Sequence, residues 1–308
     1  MAEGGQDLSP APQAGAAARH GGAGTVPALL ARAVPWLFVA AFLAFVAAFM
    51  LAPMVTVLVQ AVWGDHGPTL AYVRQLGEYR YATAFANSLI LSAAAAAVGV
   101  VGGGLLAYAL LRPGAPGWLR SAMTSFSAVA ANFAGVPLAF AFISTLGTLG
   151  LLTAQLKRLG IDIYGLGFSL YSLGGLTLTY AYFQVPLMLI IITPALRGLR
   201  AEWRDAAENL GATVWQYWWR VGLPVLWPSL LAAFVLLFGN AFSAYATPYA
   251  LTAGNIQLVP TEISNVLSGN VMESPQLGAA LAAGMIVVMT AVLLVYWLAA
   301  RKAARWRR

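Results

Sequence analysis

Residues 205–224 read DAAENLGATVWQYWWRVGLP, a stretch carrying Asp205, Glu208 and Arg220 in a chain where only 9% of residues are charged. The acids at Glu202, Asp205 and Glu208 suit the start of a short helix, because the N-terminal end of the helix dipole attracts negative charge. Ala206 and Ala207 leave a face that another protein can approach closely. Gly211 can end that helix, since it enters the left-handed conformation without a Cβ penalty. Trp215, Trp218 and Trp219 belong at headgroup level, where amphipathic rings are favoured. Pro224 can open the next helix as its first residue. The stretch therefore predicts a helix–turn–helix lying on a membrane face, with an apolar span directly behind it.

Composition places the rest of the chain in the bilayer. Hydrophobic residues make up 60% of 308, and mean hydropathy is +0.77; soluble domains carry roughly 25% charged residues. The few charges divide the sequence into long uncharged intervals: 32 residues from Arg32 to Asp65, 31 from Arg80 to Arg112, and 36 from Arg120 to Lys157. Three more follow, with 34 residues from Asp162 to Arg197, 41 from Arg220 to Glu262, and 27 from Glu273 to Arg301. A helical span needs about 20 apolar residues, so each interval holds one span and none comfortably holds two. The expected fold is an all-α polytopic membrane protein of six transmembrane helices. A membrane barrel would need alternating segments of roughly ten residues, and VPWLFVAAFLAFVAAFMLAPMVTVLV (34–59) does not alternate.

With six spans, 13 of the 17 basic residues fall on the side of the termini and 4 on the other. The positive-inside rule then puts both termini in the cytoplasm, and outer loops near 65–80, 157–162 and 252–275. The net charge of +7 is read as topology and contact with anionic lipid, and RKAARWRR (301–308) as a basic, membrane-end cytoplasmic tail, not a nucleic-acid site. Residues 1–33 are rich in Ala, Gly and Pro and lack a periodic apolar face, so they are expected to be a disordered cytoplasmic tail. The first span is too long for a signal-peptide core and is kept as an anchor. A six-span domain, 34–300, remains.

Most catalytic chemistry is missing from the sequence. His20 and His66 have no ligand spacing, there is no cysteine, and neither lysine sits in a phosphate-binding Gly-Lys-Ser/Thr. No acid or base lies within a span, whereas proton-coupled carriers place such relays at membrane depth. Energy for any transport is expected from a partner. Polar groups at membrane depth are the candidates for a solute path: Asn132 in the third span, Tyr180 and Gln184 in the fourth, and Asn240, Ser243, Tyr245 and Thr247 in the fifth. Tyr180 and Gln184 share a helical face by their spacing, and Asn240, Ser243 and Thr247 form a second stripe. Hydrogen bonding between helices is equally open for each of them singly. The runs AAAAA (93–97) and GGG (102–104) point to tight helix packing, and Pro53, Pro137 and Pro186 to kinks.

The spacing in 205–224 resembles the EAA signature of the integral-membrane permeases of ABC importers: Glu-Ala-Ala, three residues, Gly, nine residues, Ile, one residue, Leu-Pro. Here the matching positions are Asp205, Ala206, Ala207, Gly211, Val221, Leu223 and Pro224. Aspartate stands for the glutamate and valine for the isoleucine. The resemblance continues in NSLILS (87–92), opening the second span, and LLAYALLRP (105–113), closing it, and covers roughly residues 85–300. It implies a type I importer permease whose loop 197–224 is a coupling helix between the fourth and fifth spans. It also implies two cytoplasmic ATPase subunits, which hold the ATP and Mg, a second permease of different sequence, and an extracytoplasmic solute-binding protein. The chain itself would carry no cofactor, metal or catalytic residue, and would lie in a bacterial inner membrane. Where sugar permeases usually carry Asp-Gly-Ala, this chain has NLGAT. That resembles the branch importing polyamines, ferric iron, thiamine, phosphonates or oxyanions, and segment 251–276 most resembles polyamine-type permeases. The competing reading is a carrier or channel driven by gradients; an embedded enzyme is more remote.

Overall fold

The computed structural model describes residues 28–64, 67–112, 114–268 and 275–305, with side chains described from 36 to 301. His20, His66, most of the expected N-terminal tail and residues 306–308 lie outside the described residues. Among the described residues, six helices are long and apolar enough to cross a membrane: Trp36–Gln60, Tyr79–Leu111, Val136–Arg158, Leu173–Arg197, Val214–Ser243 and Pro275–Arg301. One falls in each uncharged interval, as the charge spacing predicts.

The chain divides into two compact units, Met1–Met54 and Val55–Arg308. The first holds the helix Ala28–Val46, which begins inside the segment expected to be a disordered tail. Its π turn, Ala47–Leu51, follows directly, and Ala52 N–H bonds Ala47 O five residues back. That shifted bonding lets Pro53 enter a helix that would otherwise set its ring against a carbonyl.

In the second unit the core forms where the second and fourth spans meet. Ala95 and Ala96 are fully buried, and a Cβ built at Gly103 would lie 2.5 Å from Val185 O and 2.6 Å from Met188 Cβ. The alanine and glycine runs thus bring two backbones together, which is how helices associate where lipid is as apolar as the side chains. Gly103→Val is expected to force these spans apart, at a cost on the order of 1–3 kcal/mol or more, since a carbonyl cannot rotate away. Gly104→Ala, whose Cβ would meet only Met188 Cε at 4.0 Å, should be neutral. Thermal melting of the purified variants in detergent checks the pair. Equal midpoints would refute close packing at Gly103.

Two intervals hold more than a simple span. Between Arg120 and Lys157 a helix Gly117–Ala130 ends, and the chain turns through Gly135 (φ 79) before Val136–Leu146 begins. Asn132 therefore sits in the turn, not in the third span as expected. Pro137 occupies the first turn of the new helix, where its missing N–H costs nothing, so it starts a helix and does not kink one. Pro186 does lie inside its helix, Leu173–Arg197.

The fifth interval breaks likewise. The helix Leu223–Ser243 stops at an extended Ala244, a short helix Ala246–Thr252 follows, and Val259–Ser268 forms another. The segment expected as an outer loop, 252–275, is thus partly core: Val259, Thr261, Glu262 and Val266 are buried. Val259 and Val266 pack with Tyr81, Ala84, Leu277 and Leu281. Pro275–Arg305 runs on as one helix into the expected basic tail.

Candidate functional site

The loop before the fifth span is built by two caps. No side chain of the helix Ala201–Asn209 is fully buried, so little tertiary packing holds it. Its end does: Gly211 has φ +74, Gly211 N–H bonds Glu208 O at 2.9 Å, and Ala212 N–H bonds Ala207 O at 3.0 Å. These two bonds are the Schellman arrangement that closes a helix on a left-handed residue. Thr213 then starts the next helix with a capping box. Its Oγ1 accepts from Gln216 N–H at 3.2 Å, while Gln216 Oε1 accepts from Thr213 N–H at 2.8 Å. Arg204 Nε donates to Glu208 Oε1 at 2.9 Å, which raises the pKa of this guanidinium. Asp205 and Ala206 are exposed and Ala207 is half-buried.

The second half of the loop departs from expectation. A single helical segment runs from Val214 to Ser243, so Pro224 does not open the span. A π turn, Trp218–Gly222, precedes it, and Leu223 N–H reaches Trp218 O, so Pro224 joins a helix already under way. Trp215 and Trp219 are exposed, and their rings meet edge to face at 5.6 Å. Trp218 turns inward onto Tyr108 at 4.9 Å. Val221 is half-buried.

The expected path residues separate into two groups. Tyr180 and Gln184 share one face of the fourth span, but both are 0% exposed. Gln184 Nε2 donates to Leu237 O at 2.8 Å, tying the fourth span to the fifth. In this conformation they hold spans together and line no open surface. Thr247 is also buried, and its Oγ1 accepts from Gly135 N–H at 2.8 Å. The stripe through Asn240, Ser243 and Thr247 is therefore interrupted, because the helix ends before Thr247 is reached.

Asn132, Asn240, Ser243 and Tyr245 are exposed. Asn132 donates to Ala128 O of the preceding helix and Ser243 to Gly239 O of its own, and Tyr245 Oη lies 2.9 Å from Ser264 Oγ. The Gly135–Thr247 bond sets the break at 131–135 beside the break at 244–245. Non-helical backbone at membrane depth is tolerated only inside protein or along a water-filled cavity, and broken helices mark solute sites in transporters.

The sequence reading missed a polar anchor on the other side of the second span. Asn87 Nδ2 donates to Gln257 O at 3.1 Å, and Ser88 Oγ accepts from Val259 N–H at 2.9 Å. Arg80 Nη2 lies 2.6 Å from Glu262 Oε2, with Glu262 only 3% exposed in its side chain. Thus NSLILS does not open the second span, which starts at Tyr79; it holds the segment 257–262 from within.

Residues 116–308 match the family of binding-protein-dependent transport system inner membrane components. The chain belongs to that family. This inner membrane component is 29% identical over 167 residues to the molybdenum transport system permease protein ModB of Mycobacterium tuberculosis, covering 54% of this chain and 58% of that one. It is 29% identical over 126 residues to the sulfate transport system permease protein CysT of Escherichia coli, covering 41% and 45%. The chain thus spans about half the length of these relatives. To the spermidine/putrescine transport system permease protein PotC homolog of Mycoplasma genitalium it is 29% identical over 240 residues, 77% of this chain and 75% of that one. Its fold is that of a chain in a bacterial ABC transporter involved in alginate import, at TM-score 0.71 and 16% identity, over 89% of this chain and 97% of the other.

The buried Thr247 and exposed Asn240 predict opposite phenotypes. Thr247→Val is expected to lower the melting temperature, since Gly135 N–H loses its partner at a cost of about 1–3 kcal/mol. Asn240→Leu should leave melting unchanged and lower transport. Melting curves beside solute uptake separate the two; uptake unchanged in Asn240→Leu would remove it from the path.

Proposed function

We propose that this inner membrane component is one permease half of an ATP-driven, binding-protein-dependent importer, seated in a bacterial inner membrane with both termini cytoplasmic. The observation that carries the reading is the exposed helix Ala201–Asn209, closed by Gly211 and joined through the Thr213 cap to the helical segment from Val214. A surface helix with no fully buried side chain, closed at its C-terminal end by the Gly211 turn and followed at once by the Thr213 capping box, suits a docking element: closure of a bound ATPase pair would tilt the fifth span through the continuous helix from Val214. Asp205, Ala206, Ala207 and Gly211 form the docking part, and Val221, Leu223 and Pro224 pass the motion to the span. ATP and Mg belong to that partner, and this chain performs no catalysis.

The solute passes along Asn132, Asn240, Ser243 and Tyr245, at the junction of the broken helices. An exposed asparagine in a span is costly against lipid, which supports a second permease chain completing the path there. An extracytoplasmic binding protein delivers the solute; the alginate transporter, with the same fold, has been seen in complex with a ligand-bound periplasmic protein. The solute class we assign is polyamine-like, supported by segment 251–276 and by the breadth of the match to the PotC homolog. A second reading, an oxyanion, is favoured by the matches to ModB and CysT and by the absence of carboxylates from the path residues named here. Reconstituting the complete transporter and measuring ATP hydrolysis with spermidine-loaded or molybdate-loaded binding protein distinguishes them. Stimulation by spermidine supports the first solute class and by molybdate the second. Full uptake by this chain without any ATPase would refute the importer reading itself.

A further inference from the structure

A recess of about 260 Å3 opens between the loop helix and the inner ends of the second and fourth spans. Arg112, Arg200 and Arg204 line it, with Glu208, Tyr108 and Tyr217. Glu208 is committed to Arg204. Arg112 instead rests on the Tyr108 ring at 5.0 Å and Arg200 on the Trp203 ring at 5.9 Å, and no described carboxylate lies within ion-pair distance of either. The recess therefore holds two uncompensated guanidiniums, a donor set that matches a phosphate.

Directly adjoining it is an apolar groove of about 420 Å3, lined by Val101, Gly104 and Leu105 of the second span and Leu226 and Leu230 of the fifth. Tyr108, Leu196 and Trp218 line both recess and groove, so the two adjoin across these side chains. From Val101 to Tyr108 the groove extends about 10 Å along the helix axis, room for a good part of an acyl chain. Trp215 and Trp218 also line it, and tryptophan is favoured at headgroup level.

We propose that recess and groove together are a site for one anionic phospholipid, its phosphate held by Arg112 and Arg200 and an acyl chain lying in the groove. A free anion would leave the groove unexplained, and a neutral lipid would leave the arginines unexplained. Basic pockets beside spans are known to select anionic headgroups. The site does not depend on the transport reading, since it uses no residue of the docking helix's outer face or of the solute path. Its position between loop and spans would make loop geometry sensitive to lipid composition.

The test is native mass spectrometry of the full chain, delipidated and then titrated with phosphatidylglycerol or phosphatidylcholine of matched acyl chains. Phosphatidylglycerol should be retained in strong preference, and the double variant R112Q/R200Q should weaken its binding by about 30-fold while leaving phosphatidylcholine unchanged. Gly104→Leu, with open space at its Cβ, should fill the groove and lower retention of both lipids alike. Absence of preference in the unmodified chain, or a preference surviving in R112Q/R200Q, would overturn the site. So would retention of neither lipid because another protein chain covers the groove. Inorganic phosphate that displaces phosphatidylglycerol at equal concentration would show a small-anion site instead, and would equally overturn it.

Discussion

Gly211→Val is expected to insert and fold, and to lose ATPase association or binding-protein-stimulated ATP hydrolysis by about 5–30-fold. Nothing lies within 4 Å of a Cβ at this position, so no clash destabilises the spans. The whole cost is the left-handed backbone at φ +74, on the order of 1–2 kcal/mol for a non-glycine residue and more severe for a β-branched one. That cost falls on the Schellman bonds to Ala207 and Glu208, because relaxing φ removes them. Since Ala201–Asn209 has no fully buried side chain, those bonds and the Thr213 cap do most to orient it. Gly211→Ala should show a weaker form of the same defect. ATPase pull-down beside hydrolysis rates checks the series; a Gly211→Val protein with normal hydrolysis would mean that the orientation of this helix is irrelevant.

Arg80→Met is expected to release the helix Val259–Ser268 from the second span. Removing one partner of a buried ion pair costs about 3–5 kcal/mol, because the other charge stays desolvated. Arg80 is 42% exposed in its side chain, so solvent screening reduces this to about 1–3 kcal/mol. Glu262→Gln should cost less, since the hydrogen bond survives while the buried charge goes. Hydrogen exchange over 259–268 reads the effect directly. Protection equal to that of the unmodified chain in Arg80→Met would show that Asn87 and Ser88 hold the segment alone.

The sequence made the span count legible because charge is expensive in lipid, so intervals between charges report membrane passages. The end of the loop helix was legible for a different reason: capping depends on local residue types, and Gly211 acts within a few residues of itself, whereas the Thr213 cap went unread. Where the reading failed, the cause was tertiary. Thr247 continues a helical stripe on paper, yet the chain breaks at Ala244 and the hydroxyl turns to Gly135, 112 residues away in sequence. Glu262 looked like an outer-loop acid because its partner, Arg80, lies on a distant span. Tyr180 and Gln184 were placed correctly on one face, but periodicity does not say whether that face meets a path or another helix.

The central claim, that residues 201–211 dock a nucleotide-hydrolysing partner, meets its most direct measurement in a single thiol. The chain contains no cysteine, and Ala206 is exposed on the loop helix, so Ala206→Cys carries the only thiol the chain presents to a crosslinker. In membranes from cells expressing the intact transporter, a short bifunctional reagent should join this position to an ATPase subunit, with yield that changes when ATP is added. A variant that transports normally and never crosslinks to an ATPase would contradict the account.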